Sequence, residues 1–134
     1  MSKKVYIFLA DGFEDIEGLT VVDLMRRAGI TITTVSIKNT KQITTAHGIT
    51  MLTDTTFCEA DFSDADMLVL PGGQPGTTYL GGFEPLTDLV KASIIMEVRS
   101  QPSARHLLFL QKSDFYMERR PLHTWPAWTV LEML

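Results

Sequence analysis

Apolar residues in the first ninety positions come in short blocks whose spacing alternates between two patterns. Residues 4–10 (KVYIFLA) are a continuous apolar run closed by Asp11 and Gly12. Such a run reads as a strand buried on both faces, and strands of that kind belong to parallel sheets. From about Glu14 to Ala28 the period changes. Val21, Leu24, Met25 and Ala28 recur at helical spacing, Arg26 and Arg27 occupy the last turn, and Gly29 follows the end. Residues 31–37 (TITTVSI) alternate and are β-branched, which predicts a second strand. Ile43 to Phe57 reads as a short strand pair or ribbon around His47-Gly48. Met67 to Leu70 predicts another buried strand, halted by Pro71-Gly72-Gly73, and a helix through Leu86, Leu89 and Val90 follows a turn at Gly81-Gly82. This order predicts an α/β fold, doubly wound, with a mainly parallel sheet, right-handed crossovers and helices on both faces. The ligand site of such a sheet lies at the strand C-termini, here Ala10-Asp11-Gly12 and Leu70-Pro71-Gly72-Gly73.

Composition changes the picture near residue 91. All nine glycines lie at or before Gly82, and both tryptophans, Trp125 and Trp128, lie in the glycine-free remainder. The turns of an α/β fold need glycine, so the last part of the chain does not continue the pattern of the first. The division is therefore drawn between residues 1–91 and residues 92–134. Over the whole of its 134 residues the chain carries a net charge of −4 with no basic cluster, which argues against nucleic acid and anionic membrane as partners. No run is long enough to span a bilayer, and Ser2-Lys3-Lys4 leads into a short apolar stretch without a cleavage site, so a cytoplasmic protein is expected. Cys58, the lone cysteine, excludes an internal disulfide.

Glu17 precedes Val21 by four residues and Leu24 by seven, which puts it on the sheet-facing stripe one turn above the apolar part. A carboxylate aimed inward at a strand C-terminus is partly desolvated and expected to titrate high. The alternative is an ordinary first-turn acid satisfied by the helix N-terminus. Gly72 and Gly73 after a buried strand let backbone approach a ligand, and their N–H groups would suit an oxyanion; the alternative is a plain glycine turn. Neither glycine loop has dinucleotide or Walker spacing. Asp23 and Arg27 read as a structural i,i+4 pair. Cys58, flanked by Phe57 and Glu59, reads as a bystander, and His47 as a turn or surface residue. His106 and His123 form no ligand spacing with each other. No cofactor and no metal is expected.

Three segments in order, residues 5–17 (VYIFLADGFEDIE), 22–30 (VDLMRRAGI) and 68–73 (LVLPGG), resemble the ThiJ/PfpI family of the class I glutamine amidotransferase-like superfamily. The resemblance covers residues 3 to 91. It implies a flavodoxin-like fold, a homodimer, and a reactive cysteine at a strand-to-helix elbow. It also implies glyoxalase, deglycase, protease or amidase action on a small-molecule carbonyl or amide substrate, or a chaperone role. By position, Glu17 matches the acid partner of the cysteine, Gly72 and Gly73 match the oxyanion-hole loop, and Asp23 and Arg27 fall in a helix that contributes to dimer contacts.

The family carries its cysteine in an Ala-Ile-Cys-Ala segment after the next strand, and this chain has no cysteine beyond Cys58. Residues 93–104 instead read SIIMEVRSQPSA. Joining the last base of each codon to the first two of the next, with permitted synonymous choices, residues 91–124 can spell Gly-Gly-Lys-Val-Ala-Ala-Ile-Cys-Ala followed by a helix-like run. The cysteine codon straddles Ser103 and Ala104, and Met117-Glu118 forces a glycine. The expectation is a frameshifted tail from about Ala92, a sheet truncated by loss of the nucleophile-bearing strand and its covering helix, and an inactive chain. Leu107 to Leu110 would form at most a makeshift helix. The competing reading is a non-catalytic dimerisation or binding module.

Overall fold

The computed structural model describes residues 3–99 and 106–110, with side chains described over residues 3–93. His123 and the rest of the tail beyond Leu110 lie outside the described residues, as does the Ser103–Ala104 junction. The elements in order are β1 (Lys4–Leu9), α1 (Asp15–Arg27), β2 (Thr31–Ser36), β3 (Gln42–Thr44), β4 (Thr50–Leu52), β5 (Thr55–Thr56), β6 (Met67–Pro71), α2 (Gly76–Gly82), α3 (Glu84–Arg99) and β7 (His106–Leu110). Five strands form one sheet in the order β5-β2-β1-β6-β7. Every pairing in it is parallel. β3 and β4 make a separate antiparallel hairpin.

The continuous apolar run of β1 explains its central place. Val5, Ile7 and Leu9 point to one face and pack with Val21, Val22 and Met25 of α1. Phe8 and Ala10 point to the other, with Leu68 and Leu70 of β6, Leu80 of α2, and Leu86 and Val90 of α3. Two-sided burial is what the unbroken hydrophobic pattern requires. The result is a flavodoxin-like, doubly wound parallel sheet with helices on both faces, as the sequence pattern implied.

Three details differ from the sequence reading. The buried stripe of α1 is Gly18, Val21, Val22 and Met25, and Leu24 stands 43% exposed, because the sheet covers a narrower arc than the apolar spacing suggested. Gly81 and Gly82 are the end of α2, a helix the sequence does not announce, rather than a turn. Leu107 to Leu110 are extended in β7, not helical, and pair with β6 in the register Leu68↔Leu107 to Pro71↔Leu110. The edge of β6 is therefore paired along its whole length, so the expected gap at that edge is filled by tail backbone. A bare row of strand N–H and C=O groups beside buried β6 is costly, and a β-prone apolar stretch offers the nearest partner.

Asp54 fastens the hairpin side of the sheet. Its carboxylate accepts from the Thr34 amide at 2.8 Å, the Thr34 hydroxyl at 2.9 Å and Arg26 of α1 at 2.9 Å. Burial works against ionisation of Asp54, but the Thr34 hydrogen bonds and Arg26 outweigh it and hold the carboxyl below its ordinary value. A depressed folded-state value stabilises above the unfolded value of about 3.9 and is lost as pH falls through the folded one. The melting-temperature gap between the parent chain and Asp54→Asn is thus expected to be full at pH 6 and to close as the pH drops below about 4. Thermal melts across that range check it.

Candidate functional site

The topological switch point lies between β1 and β6, since β1 connects to β2 on one side and β6 pairs with its other side. Ligand crevices of open α/β sheets form at the carboxyl ends of such a pair. Two loops meet there. The first follows β1: Gly12 donates its N–H to the Thr44 carbonyl at 2.8 Å, and Phe13 is fully buried beneath. The second follows β6 and runs from Gly72 to α2.

The two loops are joined by a reciprocal pair of bonds. Glu14 donates its N–H to the Gly72 carbonyl at 2.8 Å. Gly72 donates its N–H to Oε2 of Glu17 at 2.7 Å. Glu17, in the first turn of α1 and half-buried, therefore faces the crevice as its spacing implied. Among the described residues its other oxygen, Oε1, and the N–H of Gly73 make no hydrogen bond. Both are available to a ligand or to a further side chain. The Gly72 N–H, by contrast, is already spent on Glu17.

Gly73 cannot be another residue without cost. Its φ is +100°, and a Cβ there would sit 2.3 Å from the Glu14 nitrogen. That close approach lets the two loops touch. Its carbonyl is held by both the amide and the hydroxyl of buried Thr77, at 2.9 and 2.8 Å. Thr77 is a site-shaping residue that the sequence reading passed over. The signal was faint, a threonine four residues after a glycine.

The other candidates fall elsewhere. Cys58 is exposed and follows β5 at the far edge of the sheet, with β2 between that strand and β1. Asp23 and Arg27 pair on the surface of α1 at 2.9 Å. His47 is exposed at the tip of the β3–β4 hairpin, and its Nδ1 lies 2.7 Å from Oδ2 of Asp15 and 3.7 Å from Oε1 of Glu14. The hydrogen bond to Asp15, with Glu14 adding its charge, holds the imidazole above its ordinary value.

A parallel sheet with an acid and a glycine loop facing each other at the switch point defines a flavodoxin-like α/β protein with a carboxylate-and-amide site. The model of the DJ-1/PfpI family matches residues 3–97. The chain belongs to the DJ-1/PfpI family, the ThiJ/PfpI relationship its three motifs implied. It is 38% identical over 90 residues to "Protein DJ-1 homolog B" of Arabidopsis thaliana, covering 67% of this chain and 20% of that protein. It is 41% identical over 71 residues to "Deglycase TK1284" of Thermococcus kodakarensis, covering 53% of this chain and 42% of that protein. The crystal structure of Drosophila melanogaster DJ-1beta superposes with a TM-score of 0.69 at 29% identity, covering 72% of this chain and 52% of that one. The chain thus spans about half or less of the length of these relatives. Among the described residues no helix is long and apolar enough to cross a membrane.

Proposed function

We propose that residues 3–91 are the acid-and-loop half of a cysteine-dependent glyoxalase, deglycase or amidase/protease-like hydrolase acting on small carbonyl or amide substrates. In the same reading, this chain is itself inactive because it lacks the nucleophile. The observation that carries the proposal is the hydrogen bond from Gly72 to Glu17. It aims a carboxylate at the switch point while leaving Oε1 and the Gly73 amide without a hydrogen bond among the described residues. In the complete site a thiolate hydrogen-bonded to Glu17 adds to the carbonyl carbon. The C=O π pair then moves onto oxygen, where the Gly73 N–H receives the developing charge. The likeness to a protein named a deglycase supports the aldehyde version of this chemistry.

The tail from about Ala92 is, in this proposal, the product of a shifted reading frame in a gene of this family. Met96-Glu97, like Met117-Glu118, allows only glycine in the adjacent frame, because the methionine codon has one form. Both glycines fall in a stretch that reads through the family's missing strand and elbow. Methylglyoxal is a suitable probe. The chain as it stands is expected to consume none above a protein-free control, with no change on Cys58→Ala. Cysteine-independent turnover would overturn the proposal.

A second reading rests on a different observation. Ile16, Ile49 and Leu52, on α1 and the hairpin, are 72%, 53% and 73% exposed. Apolar groups of that size favour self-association, as in a non-catalytic homodimer or binding module. Concentration-dependent dimerisation without turnover distinguishes it.

A further inference from the structure

The β3–β4 hairpin is tied to the first site loop and the start of α1 at four points. Gly12 donates to the Thr44 carbonyl at 2.8 Å, the Thr44 amide to Oδ1 of Asp11 at 2.9 Å, and Ala46 to the Phe13 carbonyl at 2.9 Å. The fourth tie is made by side chains at the hairpin tip, where Nδ1 of His47 meets Oδ2 of Asp15 at 2.7 Å. We propose that the His47–Asp15 contact is a pH-sensitive latch, which holds the hairpin firmly against the site loop in weakly acidic solution and loosely in alkaline solution.

The latch joins a fixed anchor to an exposed, titratable head. Asp15 opens α1, and its side chain is only 14% exposed. The Thr45 side chain also hydrogen-bonds Asp15. Thr45 is buried, and its hydroxyl accepts from the Ile49 amide at 3.1 Å. His47 is 67% exposed on its side chain, next to a tip turn in which the Gly48 amide donates to the Thr45 carbonyl at 3.1 Å. Solvent protons therefore reach the imidazole while its partner is held in place. The latch also bears on the crevice, because Glu14 beside it donates its N–H to the Gly72 carbonyl at 2.8 Å. It does not depend on the crevice being catalytic.

Charge decides the sense of the switch. Two carboxylates face the imidazole from the start of α1, Asp15 and, at 3.7 Å, Oε1 of Glu14. Among the described residues neither pairs with a lysine or arginine. Asp11 of the β1–α1 loop is paired with Lys38 at 2.9 Å, and Glu17 is bound by Gly72. Residues 42–52 hold no other charged side chain, and residues 71–83 hold none. Protonated His47 is thus the cation that offsets Glu14 and Asp15. A neutral imidazole can keep its Nδ1–H bond to Asp15 but loses the charge assistance, which makes such a bond roughly twice as strong. The hydrogen bond to Asp15 and the charge of Glu14 hold the imidazole above its ordinary value, and the bonds from Thr45 and His47 hold the Asp15 carboxyl below its own. The His47 contribution is full below the unfolded value of about 6.5 and fades as pH rises through the folded one. The Asp15 contribution is full above about 3.9 and is lost as pH falls through its folded value. The latch is at full strength between those two limits.

Two measurements on the full chain test the latch. In histidine-labelled protein the ring resonance of His47 is told from those of His106 and His123 by its absence in His47→Gln. It is expected to titrate above about 6.5 and to fall back toward that value in Asp15→Asn. Amide hydrogen exchange, corrected for intrinsic rate, reads the hold on the hairpin. Protection of Ala46 is expected to be about two- to fivefold higher at about pH 5.5 than at about pH 8.5, the scale of an exposed ion pair. That step disappears in Asp15→Asn and in His47→Gln. The Phe57 amide, bound to the Ser36 carbonyl at the far edge of the sheet, is the control and shows no step in any of these chains. Should Asp15→Asn lose its circular dichroism spectrum, His47→Gln at the exposed tip carries the comparison. A His47 that titrates at or below its ordinary value, equal Ala46 protection at both pH values, an equal step at Phe57, or a step that persists in His47→Gln would each overturn the proposal.

Discussion

Gly73→Ala is expected to lower the stability of the chain by about 3 kcal/mol or more. A left-handed residue other than glycine costs roughly 1–2 kcal/mol by itself. The larger part comes from contact. A Cβ at Gly73 would meet the Glu14 nitrogen at 2.3 Å, the Gly12 carbonyl oxygen at 2.8 Å and the Phe13 carbonyl carbon at 2.8 Å. All three are backbone atoms, so relief requires the two site loops to separate, and that breaks the bonds Glu14 and Glu17 make to Gly72. Gly29 supplies the control. Its φ is +75°, but nothing lies within 4 Å of its Cβ position, so Gly29→Ala should cost only the local term, roughly 1–2 kcal/mol. Urea denaturation of the two variants reads the difference. Equal midpoints would mean that loop contact contributes nothing.

Restoring the reading frame by a one-base change just before codon 92 is expected to create methylglyoxal turnover at least about a thousandfold above the chain as it stands. Loss of a covalent nucleophile removes most of an enzyme's acceleration and leaves only residual binding and oxyanion effects. The reverse operation should return that part. In the restored protein Glu17→Gln is expected to cut turnover by about a hundredfold, the usual scale for one proton-transfer group. The amide is close in size to the carboxylate and its oxygen still accepts from Gly72, so the loss reports proton handling rather than a fallen loop. Full activity in Glu17→Gln would remove Glu17 from the chemistry.

The central elements were legible because burial on two faces leaves so plain a mark. β1 and β6 are unbroken apolar runs, and Gly29 closes α1 where the helix pattern stops, with φ of +75°. Glu17 could be placed from spacing alone, since helical period puts it over Val21. Its partner could not. The bond from Gly72 joins positions 55 apart, and no local pattern encodes it. α2 was illegible for a different reason. Three of its seven residues are glycine, the poorest helix former after proline, and packing of Leu80 and Thr77 overrides that preference. β7 escapes the sequence reading because an apolar run of four, Leu107 to Leu110, fits helix or strand equally well until a neighbour with unpaired edge groups decides. The contact of His47 with Asp15 is hidden for the same reason, since the hairpin makes it through space across 32 positions.

The genomic DNA across the codons for Leu89 to Ser103, and on to the stop, tests most directly the claim that this is a family enzyme deprived of its nucleophile by a frame change. The account expects one inserted or deleted base whose correction reads Ala-Ile-Cys-Ala in frame. An intact frame, with tail codons that show selection on their encoded residues, would contradict it and leave the binding-module reading in its place.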